Sequence, residues 1–116
     1  KNIELHSKGL VYRDYLPVSD GIDALISTIN HPFTKAFHVF NIGSGQAHTT
    51  LEIAQTIIKV LGSSSKIVPS EIRAYRDNFI LNISKAKKIL GFEPHKLKNS
   101  VEKYALSKLD EYKNKT

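Results

Sequence analysis

Strand-like runs and capped helices alternate along this chain, and that order constrains the fold more than any other feature. Strand-forming residues dominate positions 3–16, with a break at 7–9, and short runs recur at 36–42, 66–68 and 79–82. Helical patterns separate these runs, so the sequence predicts an α/β domain with a small, partly parallel sheet and flanking helices. With 116 residues, the chain fits a single domain over 1–116 with a modest core.

The first two predicted helices carry clear signals at their ends. Ser19 or Asp20 is expected to cap the first helix, and Thr49 with Glu52 forms a capping box for the second, which stops at Gly62. The first helix has one apolar stripe, made of Ile22, Leu25, Ile26 and Ile29. Their spacing of i, i+3, i+4 and i+7 is typical of an amphipathic helix.

Two more helices are expected in the last third of the chain. Ser84 is predicted to cap a short helix that ends at Gly91, and a longer helix begins at about Asn99. The apolar residues predicted on one side of the longer helix are Val101, Tyr104, Ala105, Leu109 and Tyr112. These helices complete the alternating pattern.

A Gly-Ser-Gly tripeptide at 43–45 follows the run at 36–42, which suits a buried parallel strand because it is apolar except at His38 and Asn41. Turns between a strand and a helix can bind anions at the helix amino terminus. However, His48 stands where a dinucleotide-binding fingerprint has its third glycine. The tripeptide therefore favours a tight turn that needs small residues.

Composition argues against several classes of protein. The chain has no Cys, which excludes disulfides and thiolate metal sites and fits a reducing, cytoplasmic compartment, and its five His lack the spacing of a zinc site. No apolar run approaches the roughly 20 residues of a membrane helix. The net charge is +6, but nine of seventeen basic residues follow Ile83 on helical faces without an aromatic stacking platform. We therefore expect neither a nucleic-acid nor a membrane partner.

The three arginines are the best candidates for binding residues. They are Arg13, Arg73 and Arg76, and each lies in a patterned segment, whereas Lys supplies the other basic side chains. A guanidinium is a rigid, permanently charged fork suited to phosphate or carboxylate. The pattern is compatible with recognition of a diphosphate, and equally with surface residues or ion pairs.

No pattern in the chain indicates a catalytic site. Tyr104 and Lys108 match the Tyr-x-x-x-Lys spacing of dehydrogenases, but the spacing arises by chance in helices and no glycine-rich cofactor loop precedes it. Nothing marks a nucleophile elbow or a pair of catalytic carboxylates. Cap and surface roles account for Asp14, Asp20 and Asp23.

Three blocks in order resemble the carboxyl-terminal portion of the extended short-chain dehydrogenase/reductase family, the NAD-dependent nucleotide-sugar epimerases and dehydratases. Residues 9–20, GLVYRDYLPVSD, resemble the G-x-x-x-R-D-(F/Y)-(I/V)-x-V-x-D pattern of that family. Residues 40–45, FNIGSG, resemble N-(I/L/V)-G-(S/T)-G, and residues 82–94, NISKAKKILGFEP, resemble D-x-S-K-A-x-x-x-L-G-(W/F/Y)-x-P. The match that these blocks define covers essentially the whole chain, in the same order and spacing as in the family.

The resemblance implies that this chain is a substrate-binding portion that holds a nucleotide-sugar diphosphate. By resemblance, Arg13 contacts the phosphates and Arg73 is the second ligand, with Arg76 as the alternative, since the R-P-G-D of the family is replaced here by RAYR at 73–76. Asn82 replaces the customary Asp of the family, which affects a local cap more than any chemistry.

The resemblance further implies that the NAD-binding Rossmann domain, with its catalytic Tyr-x-x-x-Lys, belongs to the parent enzyme and is missing from this chain. The chain contains no Met and opens in strand-like sequence, so we expect a piece of a longer protein. It should bind no cofactor or metal, perform no catalysis alone and expose apolar surface that invites self-association. The alternative is a stand-alone α/β protein-interaction module with no catalytic role.

Overall fold

The computed structural model describes residues 1–73 and 78–115. The helices in this part of the chain are α1 (Val18–Asn30), α2 (Thr50–Val60), α3 (Ser84–Leu90) and α4 (Leu97–Lys113). The strands are β1 (Ile3–Leu5), β2 (Tyr12–Arg13), β3 (His48–Thr49) and β4 (Ile67–Pro69). Strands and helices alternate, which confirms the predicted α/β class.

The strands form two small sheets. β1 pairs in parallel with β4, with Ile3 opposite Ile67, and this pair confirms the partly parallel prediction. β2 pairs antiparallel with β3, with Tyr12 opposite Thr49 and Arg13 opposite His48. The second pair therefore joins the Arg-containing block to the entrance of α2.

A tight left-handed turn over His6–Gly9 separates β1 from β2 and accounts for the break predicted there. Ser7, Lys8 and Gly9 have φ angles of 49°, 57° and 73°, a region that residues with a Cβ enter at a cost. The backbone N–H groups of Ser7 and Lys8 donate to the carbonyls of Ile72 and Ser70, at 2.7 and 3.0 Å. These bonds hold the turn against the segment that follows β4.

The predicted capping box opens α2 as expected. Thr49 Oγ1 accepts from the backbone N–H of Glu52 at 3.1 Å, and a Glu52 carboxylate oxygen accepts from the Thr49 N–H at 2.8 Å. Gly91, with φ of 65°, closes α3 in the left-handed conformation, as predicted from its position. Local side-chain chemistry was sufficient to predict both helix ends.

The starts of the other helices differ from the predictions. α1 begins at Val18 with Pro17 as its N-cap, so the predicted caps Ser19 and Asp20 lie inside the first turn of the helix. The Asn82 side chain, in place of Ser84, accepts from the Ser84 N–H at 3.0 Å at the start of α3. α4 begins at Leu97, two residues before the predicted Asn99.

The strands predicted at 36–42 and 79–82 are wrong for the described part of the chain. Neither segment is assigned as a strand, although they lie near each other, with Asn41 Nδ2 donating to the Asn82 carbonyl at 3.2 Å. An apolar run becomes a strand only when its backbone pairs with that of another strand, and composition alone does not determine such pairing. The runs instead contribute side chains to the core.

The main core lies between α1 and α3. Its buried residues are Ala24, Ile83, Ala86 and Phe92, and the half-buried residues packed around them are Leu16, Phe40, Ile42, Leu81 and Leu90. A second contact joins α2 to α4, where Ala54, Leu97 and Ala105 are buried. The facing helix positions are mostly alanines, which lets the helices approach closely.

The apolar stripe of α1 faces outward, while the other side of the helix faces the core through Ala24. The exposed fractions of Ile22, Leu25, Ile26 and Ile29 are 50%, 65%, 50% and 80%. Phe37 and Val39 add exposed apolar surface, as we expected from the resemblance.

The predicted inner face of α4 is wrong at two residues, because Tyr104 and Tyr112 are exposed.

In the part of the chain that the structure describes, none of the helices combines the length and the apolarity needed to cross a membrane.

Candidate functional site

The β2–β3 pair positions Arg13. The backbone of Arg13 lies opposite His48, and its Nη1 donates to the carbonyl of Tyr12 at 3.0 Å, with the residue half-buried. The Tyr12 N–H donates to Asn78 Oδ1 at 2.8 Å. Backbone pairing on one side and a side chain from a distant segment on the other therefore fix the strand that carries Arg13.

The Asp14 carboxylate ties the same strand to the Gly-Ser-Gly turn. Its Oδ1 accepts from the Ser44 N–H at 2.6 Å and from the Ser44 hydroxyl at 2.7 Å. Its Oδ2 accepts from the N–H groups of Gly45 and Leu81, both at 3.1 Å. One carboxylate thus joins three segments that are far apart in the sequence.

The two glycines of the turn are needed for different reasons. A Cβ at Gly43 would lie 2.8 Å from Asp14 Oδ2 and 2.9 Å from Leu81 Cδ1, so any side chain would displace the carboxylate or the core. Gly45 has a φ of 66°, which glycine adopts without strain. This geometry fits the prediction that the tripeptide forms a turn that needs small residues.

The hydrogen bonds around Asp14 alter its acidity. Burial raises the pKa of Asp14, but hydrogen bonds from the Ser44 side chain and backbone, and then from Leu81 and Gly45, together bring its pKa below the ordinary 3.8. Asp14 is therefore ionised at neutral pH, and it places a fixed negative charge beside Arg13 in the sequence.

The Gly-Ser-Gly turn does not suit a dinucleotide phosphate. The N–H groups of Ser44 and Gly45, which would have to face such a phosphate, donate to the chain's own Asp14 carboxylate. A phosphate placed there would have to displace an ionised and partly desolvated side chain. The residues at this turn thus do not fit the diphosphate of NAD.

Arg73 lies on a segment beside the left-handed turn that precedes β2. It follows Ile72, whose carbonyl accepts from the Ser7 N–H, and its own side chain is exposed. Arg13 is the last residue of β2, the strand that follows this turn in the chain. Arg76 lies outside the described residues.

Asp20 is a buried residue, so the surface role predicted for it is wrong. Its exposed fraction is 1%, and its Oδ2 accepts from the His95 N–H at 2.7 Å while Oδ1 lies 2.7 Å from His95 Nδ1. A buried carboxylate without such contacts would be costly. Asp20 therefore connects α1 to the segment between α3 and α4.

Tyr104 and Lys108 do not form a catalytic pair in this geometry. The Lys108 ammonium lies over the face of the Tyr104 ring, 5.6 Å from its centroid, and bonds to both Glu111 carboxylate oxygens at 3.0 and 2.8 Å. The bonds to Glu111 raise the pKa of Lys108. The lysine is thus directed to a surface carboxylate.

A small cavity between α2 and α4 offers no room for a sugar nucleotide. Its volume is about 50 Å³, and the residues that line it are His48, Glu52, Ile53, Thr56, Leu97, Lys98 and Val101. Ligand pockets commonly span about 300–1,000 Å³. Among residues 1–73 and 78–115, no cluster of three or more His, Asp or Glu side chains could hold a metal ion.

Two known proteins that resemble this chain are named as epimerases of nucleotide sugars. The chain is 33% identical over 91 residues to UDP-glucose 4-epimerase of Lactobacillus helveticus, covering 74% of this chain and 27% of that protein. It is 32% identical over 98 residues to dTDP-L-rhamnose 4-epimerase of Burkholderia thailandensis, covering 81% of this chain and 26% of that protein. No protein-family model matches the chain.

Solved structures of the same class share the fold. UDP-glucose 4-epimerase of Thermotoga maritima, determined with UDP-glucose, superposes with a TM-score of 0.75 and 26% identity, covering 88% of this chain and 33% of that structure. This chain thus spans about a quarter of the length of the curated relatives and a third of that solved structure.

The fold and its relatives define a class, that of nucleotide-sugar epimerases and dehydratases. The chain is homologous to a part of these enzymes, which form the extended short-chain dehydrogenase/reductase family, and the resemblance predicted from its motifs is confirmed.

Sequence reasoning missed the organising residues around Arg13. The cap or surface role predicted for Asp14 leaves out its bonds to Ser44, although its place directly after Arg13 in the family block is a usable signal. Asn78 carried no signal, because its bond to Tyr12 joins positions 66 residues apart.

Proposed function

We propose that this chain is the part of an NAD-dependent nucleotide-sugar epimerase or dehydratase that binds the nucleotide-sugar diphosphate. The chain is catalytically incomplete without the rest of such an enzyme. The observation that carries the proposal is its similarity, over most of its length, to epimerases named for UDP-glucose and dTDP-L-rhamnose. Both names denote a sugar attached to a nucleoside diphosphate.

In this proposal Arg13 binds the diphosphate. Arg13 is half-buried, its Nη1 donates to the Tyr12 carbonyl, and the strand that carries it is held by backbone pairing and by Asn78, so its backbone is already ordered before a ligand binds. Arg73 provides the second contact, since its exposed side chain follows a segment anchored to the turn before β2. Arg76 is the alternative second ligand.

The cofactor belongs to a different part of the intact enzyme. The Gly-Ser-Gly turn of this chain is occupied by Asp14, which argues against NAD at this position. A Rossmann domain in the parent protein would hold NAD and supply the catalytic residues. The exposed apolar stripe of α1 would pack against that domain, because the relatives are about three to four times as long as the part matched here. We place such an enzyme in the cytoplasm.

Titration calorimetry of the full-length protein with UDP tests the role of Arg13. The Arg13→Ala variant should bind UDP about tenfold more weakly or worse, because a charge-assisted hydrogen bond contributes about 1.5–3 kcal/mol. Lys88→Ala, which removes an exposed cation from α3, is the matched control and should bind normally. Equal UDP affinity in Arg13→Ala and the unaltered protein would remove Arg13 from the site.

The alternative function is a stand-alone interaction module that uses the apolar face of α1 to bind another protein. The exposure of Leu25 and Ile29 favours it, at 65% and 80%. The two proposals differ in their ligands. Failure of the full-length protein to bind any nucleoside diphosphate would support the interaction module.

A further inference from the structure

Asp14, the residue directly after Arg13, joins β2 to two distant segments of the chain. Asp14 accepts hydrogen bonds from Ser44 N–H and Oγ, from Gly45 N–H and from Leu81 N–H, at 2.6 to 3.1 Å. These donors come from positions 30, 31 and 67 residues away. The carboxylate fixes β2 relative to both the turn and the core segment at Leu81.

The strand that carries Arg13 needs such a constraint. β2 consists of two residues, and its pairing with β3 involves Tyr12 opposite Thr49 and Arg13 opposite His48. A two-residue ladder has little stability of its own. The Asn78 bond holds the residue before Arg13 and the Asp14 bonds hold the residue after it. The direction in which Arg13 leaves the backbone is therefore set from both sides.

We propose that Asp14 is a positioning residue for anion binding, which holds Arg13 in the orientation that grips the diphosphate. This inference rests on the proposed function, in which Arg13 contacts that group. Asp14 itself touches no ligand, because its carboxylate oxygens are directed to the turn and to Leu81. Its effect on binding passes through Arg13.

The sign of a mutational effect separates this role from simple electrostatics. Asp14→Asn removes a negative charge near a site for an anion, and on Coulombic grounds alone UDP should bind more tightly. An amide also places donors where the N–H groups of the turn need acceptors, so Arg13 loses its fixed orientation. Weaker binding in Asp14→Asn is therefore the signature of positioning.

The experiment measures UDP affinity by calorimetry on the full-length protein, with circular dichroism to establish that each variant is folded. Asp14→Asn should bind UDP roughly tenfold more weakly or worse, since misplacement of a binding group by about 1 Å is costly. Asp23→Asn makes the same charge change at an exposed position of α1 and should bind UDP normally or slightly more tightly. Ser44→Ala, which removes one donor to Asp14, should give a smaller loss.

A double-mutant cycle tests whether the effect passes through Arg13. In the Arg13→Ala background, Asp14→Asn should change UDP affinity less than about twofold, because the group it positions is gone. A merely structural role would give the same loss in both backgrounds, and that result would overturn the inference. If Asp14→Asn does not fold, unchanged UDP affinity in folded Ser44→Ala would overturn it as well.

The outcomes also separate this inference from the proposed function. If Arg13→Ala weakens UDP binding while Asp14→Asn leaves it unchanged or tightens it, the positioning role fails and the diphosphate site stands. If Arg13→Ala has no effect on UDP affinity, the diphosphate site fails, and Asp14 loses the role proposed here with it.

Discussion

At the scale of single residues, the carboxylates of this chain matter more than their surface-like sequence context indicates. Asp14 and Asp20 each accept bonds from segments far along the chain, and Asp20 is almost completely buried. Both lie in the Arg-Asp block, where sequence spacing indicated a helix start. Local patterns predicted the capping box at Thr49 and the left-handed end at Gly91, but a bond across 75 residues, like that of Asp20 to His95, depends on the tertiary fold.

Asp14 should make the stability of the chain dependent on pH in the acid range. Hydrogen bonds lower its pKa in the folded state, so its contribution is complete above the unfolded value of about 3.9 and is lost as the pH falls through the lower folded value. Urea unfolding of the 116-residue chain from about pH 7 to about pH 3 measures this.

The control for this prediction is the Asp14→Asn variant. Its free energy of unfolding should be lower at neutral pH, by about 1–3 kcal/mol, because an NH2 group replaces one of the two carboxylate oxygens that accept from the turn and from Leu81. The difference from the unaltered chain should shrink below about pH 4. A difference that stays constant across the whole range would show that ionised Asp14 does not stabilise the fold.

At the scale of elements, helix ends were predicted more reliably than strands. The capping box at Thr49 and the left-handed end at Gly91 follow from chemistry within a few residues. The runs at 36–42 and 79–82 had the composition of strands, but a strand is defined by its partner's backbone, which a local pattern does not contain. The apolar stripe correctly predicted that α1 is a helix, but it did not predict that the stripe faces outward.

The capping box should account for a measurable part of the stability of α2. Thr49→Ala removes the acceptor for the Glu52 N–H and should lower the free energy of unfolding by about 1 kcal/mol. Thr56→Ala is the matched control, because its hydroxyl bonds back to the Glu52 carbonyl within the helix and alanine has the higher helix propensity. Equal losses in the two variants, measured by urea unfolding, would contradict a specific role for the box.

At the scale of the whole molecule, the exposed apolar surface is the main departure from a self-sufficient domain. The apolar face of α1, formed by Ile22, Leu25, Ile26 and Ile29, is at least half exposed at each residue, and Phe37 and Val39 are exposed as well. Apolar surface of this kind commonly marks an interface. It agrees with a chain that matches a quarter of its relatives' length.

The apolar face should make the 116-residue chain associate with itself as its concentration rises. The Leu25→Lys, Ile29→Lys double variant should remain monomeric, and it should keep its fold because the buried side of α1 is formed by Ala24. Sedimentation velocity measures the association. Leu106→Lys, which changes an exposed apolar residue of α4, is the control. If the double variant still associates and the Leu106→Lys variant does not, the apolar face of α1 is not the surface of self-association.

The family could be recognised from sequence because each of its motifs is local, and the arginines could be proposed as ligands for their chemistry. The bonds that fix β2 could not be predicted, because they join Tyr12 and Asp14 to segments far along the chain. If Arg13 grips a diphosphate, calorimetry on the full-length protein should distinguish UDP from uridine, which lacks the diphosphate. UDP should bind at least about tenfold more tightly than uridine, and Arg13→Ala should reduce this difference in affinity. Equal affinities for the two ligands, or a difference that Arg13→Ala leaves intact, would contradict this role of Arg13.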